Sequence, residues 1–248
     1  MAETAVVVGA TGAFGRAIVA RLAAAGLRVV MVGRGAEALS RLAAEIAGSV
    51  PCVADIGDDA AIAAITAKLD GPVRIAVHGP GLTAPGSVGE IATASLVQAV
   101  NLKAGGMLRL TRAVDGHLVP GARLVAIAGH YGLEPAPYAA AAGVANAALL
   151  NLARQLSLAY GPRGITAHAI APGPADTERL WRIAEAEAGR RGVSAAEIVD
   201  GMRADSATGA LTTPEEVAWA VALLLAPEAA AMAGSTLMLD CGRRRGLP

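Results

Sequence analysis

Short β-branched runs alternate with alanine-rich helical segments along almost the whole chain. "TAVVVGA" precedes a helical stretch over 14–25, "RVVMVG" one over 36–47, "VPCVADI" one over 58–69 and "VRIAVHG" one over 92–113. Parallel strands cannot be joined by a tight hairpin, so strand–helix units in succession predict a parallel, doubly wound α/β sheet. The pattern continues through "ARLVAIAG", a long helix to about 160, "GITAHAIAPG", a polar helical insert over 175–208, "TPEEVAWAVALLLA" and a last strand "STLMLD". About seven parallel strands with helices on both faces are expected.

No Gly/Ser linker, charge run or internal repeat divides the 248 residues, so 1–248 reads as one domain, with 175–208 a helical cap on the substrate side. Mean hydropathy is positive, but the excess is alanine and no apolar run approaches the roughly 20 residues that span a bilayer. The opening "MAETAVVVGATG" enters a strand without a charged leader, so a cytoplasmic protein without membrane association is expected. Lys plus Arg and Asp plus Glu balance at 21 each, which removes an electrostatic case for nucleic acid. "RRR" at 243–245 is a local cluster suited to a solvated or interface-pairing tail. Cys52 and Cys241 are isolated thiols without metal-ligand or redox spacing, and no metal site is expected.

"VVVGATGAFGRAI" places Gly9, Gly12 and Gly15 between the first strand and first helix. Such a turn lets backbone N–H groups approach a pyrophosphate at the positive end of a helix, although glycines also serve plain helix–strand packing. The second strand ends in Gly33-Arg34, where a fold specific for NAD carries an acid for the ribose hydroxyls. An arginine there suits a 2′-phosphate, so NADP(H) is the expected cofactor, with NAD(H) second and a bare surface arginine the competing reading. Asp55 in "VADIGD" ends the third strand at the ligand-binding edge; a helix cap, with Asp58 as competitor, reads nearly as well.

With these motifs, the chain resembles a short-chain dehydrogenase/reductase almost end to end. The resemblance is carried by the "GATGAFG" turn, "ADI", Asn101 in "VNLKAGG", "PGPADT" at 172–177 and the terminal "LDCGR". It implies a Rossmann-type sheet with cofactor contacts from Gly9, Thr11, Gly12, Phe14, Gly15, Arg34, Asp55, Ile56, Gly81, Pro172, Gly173 and Thr177, the last on the nicotinamide side. The departures are Ala13 at the short-chain branch's middle glycine, "HGPG" (78–81) in place of asparagine-asparagine-alanine-glycine, and Cys241 within the usual aspartate-glycine-glycine.

The family pattern also demands a serine at the end of strand five, a glycine three residues on, then a tyrosine and, four later, a lysine. Aligned without gaps between Gly132 and "RGITAHAIAPG", serine falls on Gly129, tyrosine on Ala142 and lysine on Asn146. A register through Tyr138 needs a compensating deletion and insertion and puts the lysine at Ala142. An unperturbed phenol titrates near pH 10, so without the neighbouring ammonium it is a poor acid at neutral pH. Asn101, which in the family relays protons to that lysine, reads here as a bond to backbone inside a kinked helix. His130, Tyr131 and Tyr138 are the substitute candidates; His78, His117 and His168 read as structural.

Three functions are compatible. The first is the non-catalytic subunit of a dimer or tetramer that includes an intact relative, since the family assembles through its helix-four and helix-five faces. The second is an enzyme in its own right, an NADP(H) oxidoreductase or a lyase, dehydratase or cyclase, on a small-molecule substrate. The third is a nucleotide-sensing regulator.

Overall fold

The apolar runs become strands with both faces covered. In the computed structural model, which describes residues 3–81 and 86–246, one seven-stranded parallel sheet has the order β3-β2-β1-β4-β5-β6-β7. Its strands are β1 Thr4–Val8, β2 Arg28–Gly33, β3 Ser49–Val53, β4 Val73–His78, β5 Leu118–Ile127, β6 Thr166–Pro172 and β7 Thr236–Leu239. The side-chain alternation of a strand sorts β1 between two cores. Val6 and Val8 pack with Ile65 of α3 (Ala60–Thr66), Met107 of α5 (Gly106–Val114) and Leu149 of α6 (Ala140–Tyr160). Ala5 and Val7 pack with Ile18 of α1 (Ala13–Ala24), Leu42 of α2 (Ala36–Glu45) and Val221 of α9 (Pro214–Leu223). The expected doubly wound architecture is the one observed.

The helix expected over 92–113 is interrupted. α4 (Thr93–Val100) passes into a five-residue π segment, Asn101–Gly105, before α5. Two glycines permit this packing: a Cβ on Gly105 would lie 2.8 Å from Asn101 Oδ1, and one on Gly106 would lie 2.6 Å from His78 Cε1. Asn101 Nδ2 donates to Gly57 O at 2.9 Å, a bond to backbone as expected, but across to the turn after β3 rather than inside its own helix.

The insert forms α7 (Glu178–Arg191) and α8 (Ala195–Ala204), with a small core of its own from Ala184, Ala188, Ile198, Val199 and Leu211. Its boundaries follow local chemistry. Thr177 caps α7, left-handed Gly192 ends it, and a reciprocal Ser194–Glu197 capping box starts α8. Among the described residues no helix is long and apolar enough to cross a membrane.

The sheet's direction of winding reverses between β1 and β4, where doubly wound folds open a crevice beyond the carboxyl ends of their strands. Gly9 after β1 and Gly79 after β4 meet at its floor.

Candidate functional site

The three turn glycines have different duties. Gly9 has φ 81°, and a Cβ on it would lie 3.0 Å from the Gly79 carbonyl; a Cβ on Gly15 would lie 2.1 Å from Gly9 O. Backbone packing alone therefore demands both. A Cβ on Gly12 would meet only Gly9 O, at an ordinary 3.4 Å. Gly12 is exposed and precedes α1, whose first turn has neither a side-chain cap nor an acidic residue. An uncapped helix N-terminus with uncompensated positive dipole fits a phosphate group. Ala13 is the exposed first residue of that helix, Thr11 O accepts from Arg16 Nε at 3.2 Å, and Phe14 packs into the core, leaving its backbone for the turn.

Arg34 stands exposed just after β2, with no ion pair or hydrogen bond among the described residues. Asp55 and Asp58 divide the roles that were in competition: Asp58 Oδ1 accepts at 2.8 Å from Ala60 N, the first residue of α3, ahead of the N-cap residue Asp59, whereas Asp55 Oδ1 accepts from Gly57 N at 2.9 Å and shapes the turn after β3. Ile56 is buried. Pro172 ends β6, and Gly173 N donates to Leu239 O at 2.9 Å; a Cβ there would lie 2.9 Å from Asp240 Cα. Thr177 uses its hydroxyl locally, accepting from Leu180 N at 3.4 Å and donating to Ala175 O at 3.3 Å. Gly81 faces Arg179, whose Nη1 would lie 3.0 Å from a Cβ on it.

At the positions where the family resemblance expects serine, tyrosine and lysine, the residues present are interlocked. Gly129 follows β5 in extended backbone, and Asn146 Nδ2 lies 2.9 Å from the place of a Cβ on Gly129. Gly132 rests directly on α6, where a Cβ would fall 2.8 Å from Asn146 C. Asn146 is buried and its Oδ1 has no partner. Ala142 packs with Ala99, Ala141 and Ala145 between α4 and α6. Tyr138 is exposed and precedes α6 rather than lying on it.

The three substitute candidates do come together. The His130 and Tyr131 rings lie with centroids 3.9 Å apart at a tilt of 39°, and Tyr131 meets Tyr138 edge-on with its hydroxyl donating to Tyr138 Oη at 3.2 Å. Burial favours the neutral form of both Tyr131 and His130. Burial pushes the Tyr131 phenol well above its ordinary range, and the Tyr138 hydroxyl adds to the effect. Burial also lowers His130, with the Arg243 charge in support.

The sequence reading passed over Lys103. It sits in the π segment, 4% exposed, and its Nζ donates to Ile127 O at 2.8 Å, at the end of β5 two residues before Gly129. Burial first, and the Arg179 charge second, lower its pKa to about 7. His78, fully buried at the end of β4, has Nε2 3.1 Å from Leu102 O, while its Nδ1 has no partner; burial and the Lys103 charge lower it to about 3. His78 is thus the structural histidine expected, and so is His168, buried with Nε2 2.8 Å from Thr166 Oγ1. One available signal pointed to Lys103: it is one of only two lysines among 21 basic residues. Among the described residues no cluster of potential metal ligands occurs.

A family model described as enoyl-(acyl carrier protein) reductase matches residues 9–244. The chain belongs to the short-chain dehydrogenase/reductase family. A putative ketoacyl reductase of Streptomyces coelicolor is 30% identical over 251 residues, covering 97% of this chain and 96% of that one. An inactive 2-(S)-hydroxypropyl-CoM dehydrogenase 2 of Xanthobacter autotrophicus is 32% identical over 228 residues, covering 88% and 95%. Among solved structures, an actinorhodin polyketide ketoreductase with NADPH is 28% identical with TM-score 0.91, covering 99% of this chain and 98% of that one. The chain is thus an oxidoreductase-like member of this family.

Proposed function

We propose that the protein binds NADP(H) at the α1 turn and serves as the non-catalytic subunit of a dehydrogenase/reductase, assembled with an intact chain of the same family. The observation that carries this reading is the Asn146 amide standing where a serine side chain at Gly129 would begin. That substitution removes the lysine and fills the serine's space in one step, while the nucleotide turn keeps both glycines that its backbone requires. The uncapped α1, an exposed Arg34 without a partner among the described residues, and the NADPH carried by the similar ketoreductase support the cofactor assignment. The Xanthobacter relative, described as inactive, is a precedent for lost activity in a similar chain. Support for assembly comes from apolar side chains left exposed on α4 and α6: Val97, Val144 and Leu158.

Tagged protein purified from its native host should carry a second short-chain dehydrogenase/reductase in stoichiometric amount. Recovery only as a homo-oligomer under mild conditions overturns the subunit role. A second reading, an enzyme with its own proton donor, draws on the convergence of His130, Tyr131 and Tyr138. NADPH-dependent turnover that is lost in Tyr138→Phe would establish it in place of the first.

A further inference from the structure

We propose that Lys103 and Arg179 form a carboxylate-binding site at the carboxyl ends of β4 and β5, built for an anionic small molecule rather than for the cofactor's phosphates. The inference does not rest on the cofactor reading above.

An ammonium group has three donors, and that of Lys103 has one acceptor, Ile127 O at 2.8 Å. The other buried cation shows how this chain satisfies such a group without a ligand. Arg123 donates to Gly121 O and Leu224 O, both at 2.8 Å, and to Ala226 O at 3.2 Å. Among the described residues Lys103 lacks any such cage and any counter-charge. The groups around it are His78 from β4, held neutral by burial, and Arg179 from α7, itself a cation. Arg179 in turn has no ion pair or hydrogen bond among the described residues, and its guanidinium lies against Gly81. Two cations, Lys103 against the end of β5 and Arg179 against Gly81 beyond β4, repel one another, and a buried charge left unpaired is costly. A carboxylate between them offers acceptors to the idle Lys103 donors and a planar partner to the Arg179 fork.

The position separates this anion from the cofactor's phosphates. The α1 N-terminus follows β1, whereas the Lys103 contact is on β5, with β4 between them. The residue type fits as well. A chain that uses arginine for 19 of its 21 cations has a lysine here, and lysine, unlike arginine, can remain neutral while the site is empty and take up a proton when an anion enters.

The test uses the wild-type chain labelled with ¹³C at lysine Cε, which gives two resonances, Lys103 and the exposed Lys68 as internal reference. Sodium malonate is the probe. With malonate present, the Lys103 titration midpoint should rise by about one pH unit or more, a tenfold change in proton affinity, with Lys68 unmoved. Arg179→Ala should weaken malonate binding by about tenfold or more. NADPH alone should leave the midpoint in place. An unmoved midpoint at saturating malonate overturns the site, and the same rise with NADPH alone reassigns the cations to the cofactor. A chain that binds no NADPH but shows the malonate response would refute the cofactor reading and leave this one standing.

Discussion

The Nδ2 atom of Asn146 lies 2.9 Å from the point where a β-carbon on Gly129 would sit. The two residues are those that the gapless alignment sets against the family's lysine and serine, and the geometry couples them. A serine restored alone meets the amide; a lysine restored alone meets a cleft with no hydroxyl beside it.

Gly129→Ser should accordingly destabilise the fold by about 1–3 kcal/mol, the usual cost of overpacking a filled site. Adding Asn146→Lys, whose longer side chain can leave that space, should recover part of the loss, so the two effects will not add. Urea midpoints of the singles and the double measure the coupling. Additivity would show that the amide does not fill the serine's place.

The turn glycines should separate folding from cofactor binding. Gly15→Ala places a methyl 2.1 Å from Gly9 O and should cost at least about 3 kcal/mol or prevent folding. Gly12→Ala meets an ordinary contact at 3.4 Å and should change stability by under about 1 kcal/mol. Its added methyl at the α1 N-terminus should still weaken NADPH binding about tenfold, as read by calorimetry. Equal affinity in Gly12→Ala would place the phosphates elsewhere.

Arg34→Ala should reduce affinity for NADPH about tenfold and leave NADH within a factor of two, since only the former offers a 2′-phosphate to the guanidinium. Parallel titrations of both cofactors decide it. A wild type that favours NADH, unaltered by the substitution, would remove the basis for the NADP(H) assignment.

Stability should fall as the solution is acidified from pH 6.5. His78 and His168 are lowered in the folded state from 6.5 to about 3 and about 4. Between those values and 6.5 the unfolded chain binds protons that the folded chain refuses, so acid favours unfolding. The stabilisation is complete above 6.5. Each histidine contributes a slope of up to about 1.4 kcal/mol per pH unit in that window. His78→Asn should flatten the curve by about one histidine's share. Guanidinium midpoints from pH 7 to 4.5 measure this, and a flat wild-type profile would contradict the burial of both rings.

The sheet was legible because its strands are covered on both faces and so read as unbroken apolar runs, such as Ala5–Val8 and Val29–Val32. The caps at Thr177, Ser194 and Thr213 rest on equally local chemistry, each accepting from a backbone N–H three residues on, yet Thr177 reads in sequence only as a nicotinamide-side contact. The interruption at Asn101 was half legible, since the residue suggested a kink but alanine-rich flanks hide the loss of helical period. Lys103 was not legible, because a lysine in a helical stretch ordinarily faces water, and its burial depends on Ile127, which lies 24 residues away in sequence. The fit of Asn146 against Gly129 likewise exists only after β5 and α6 have packed. The sequence names the residues at those positions but not how they fit together.

The π segment at Asn101–Gly105 also sets the angular phase between the helices it joins. A π turn holds one residue more than the α turn it replaces, so losing one residue there can relax it to ordinary α-helix with α4 and α5 nearly in phase. Ala99 would then keep its seat against Ala141 and Ala145 while Met107 and Leu110 stayed in the core. A single-codon deletion in this stretch should therefore disturb helix packing less than the same lesion between Ala145 and Leu149 of α6, where no wide turn absorbs the roughly 100° that each residue contributes.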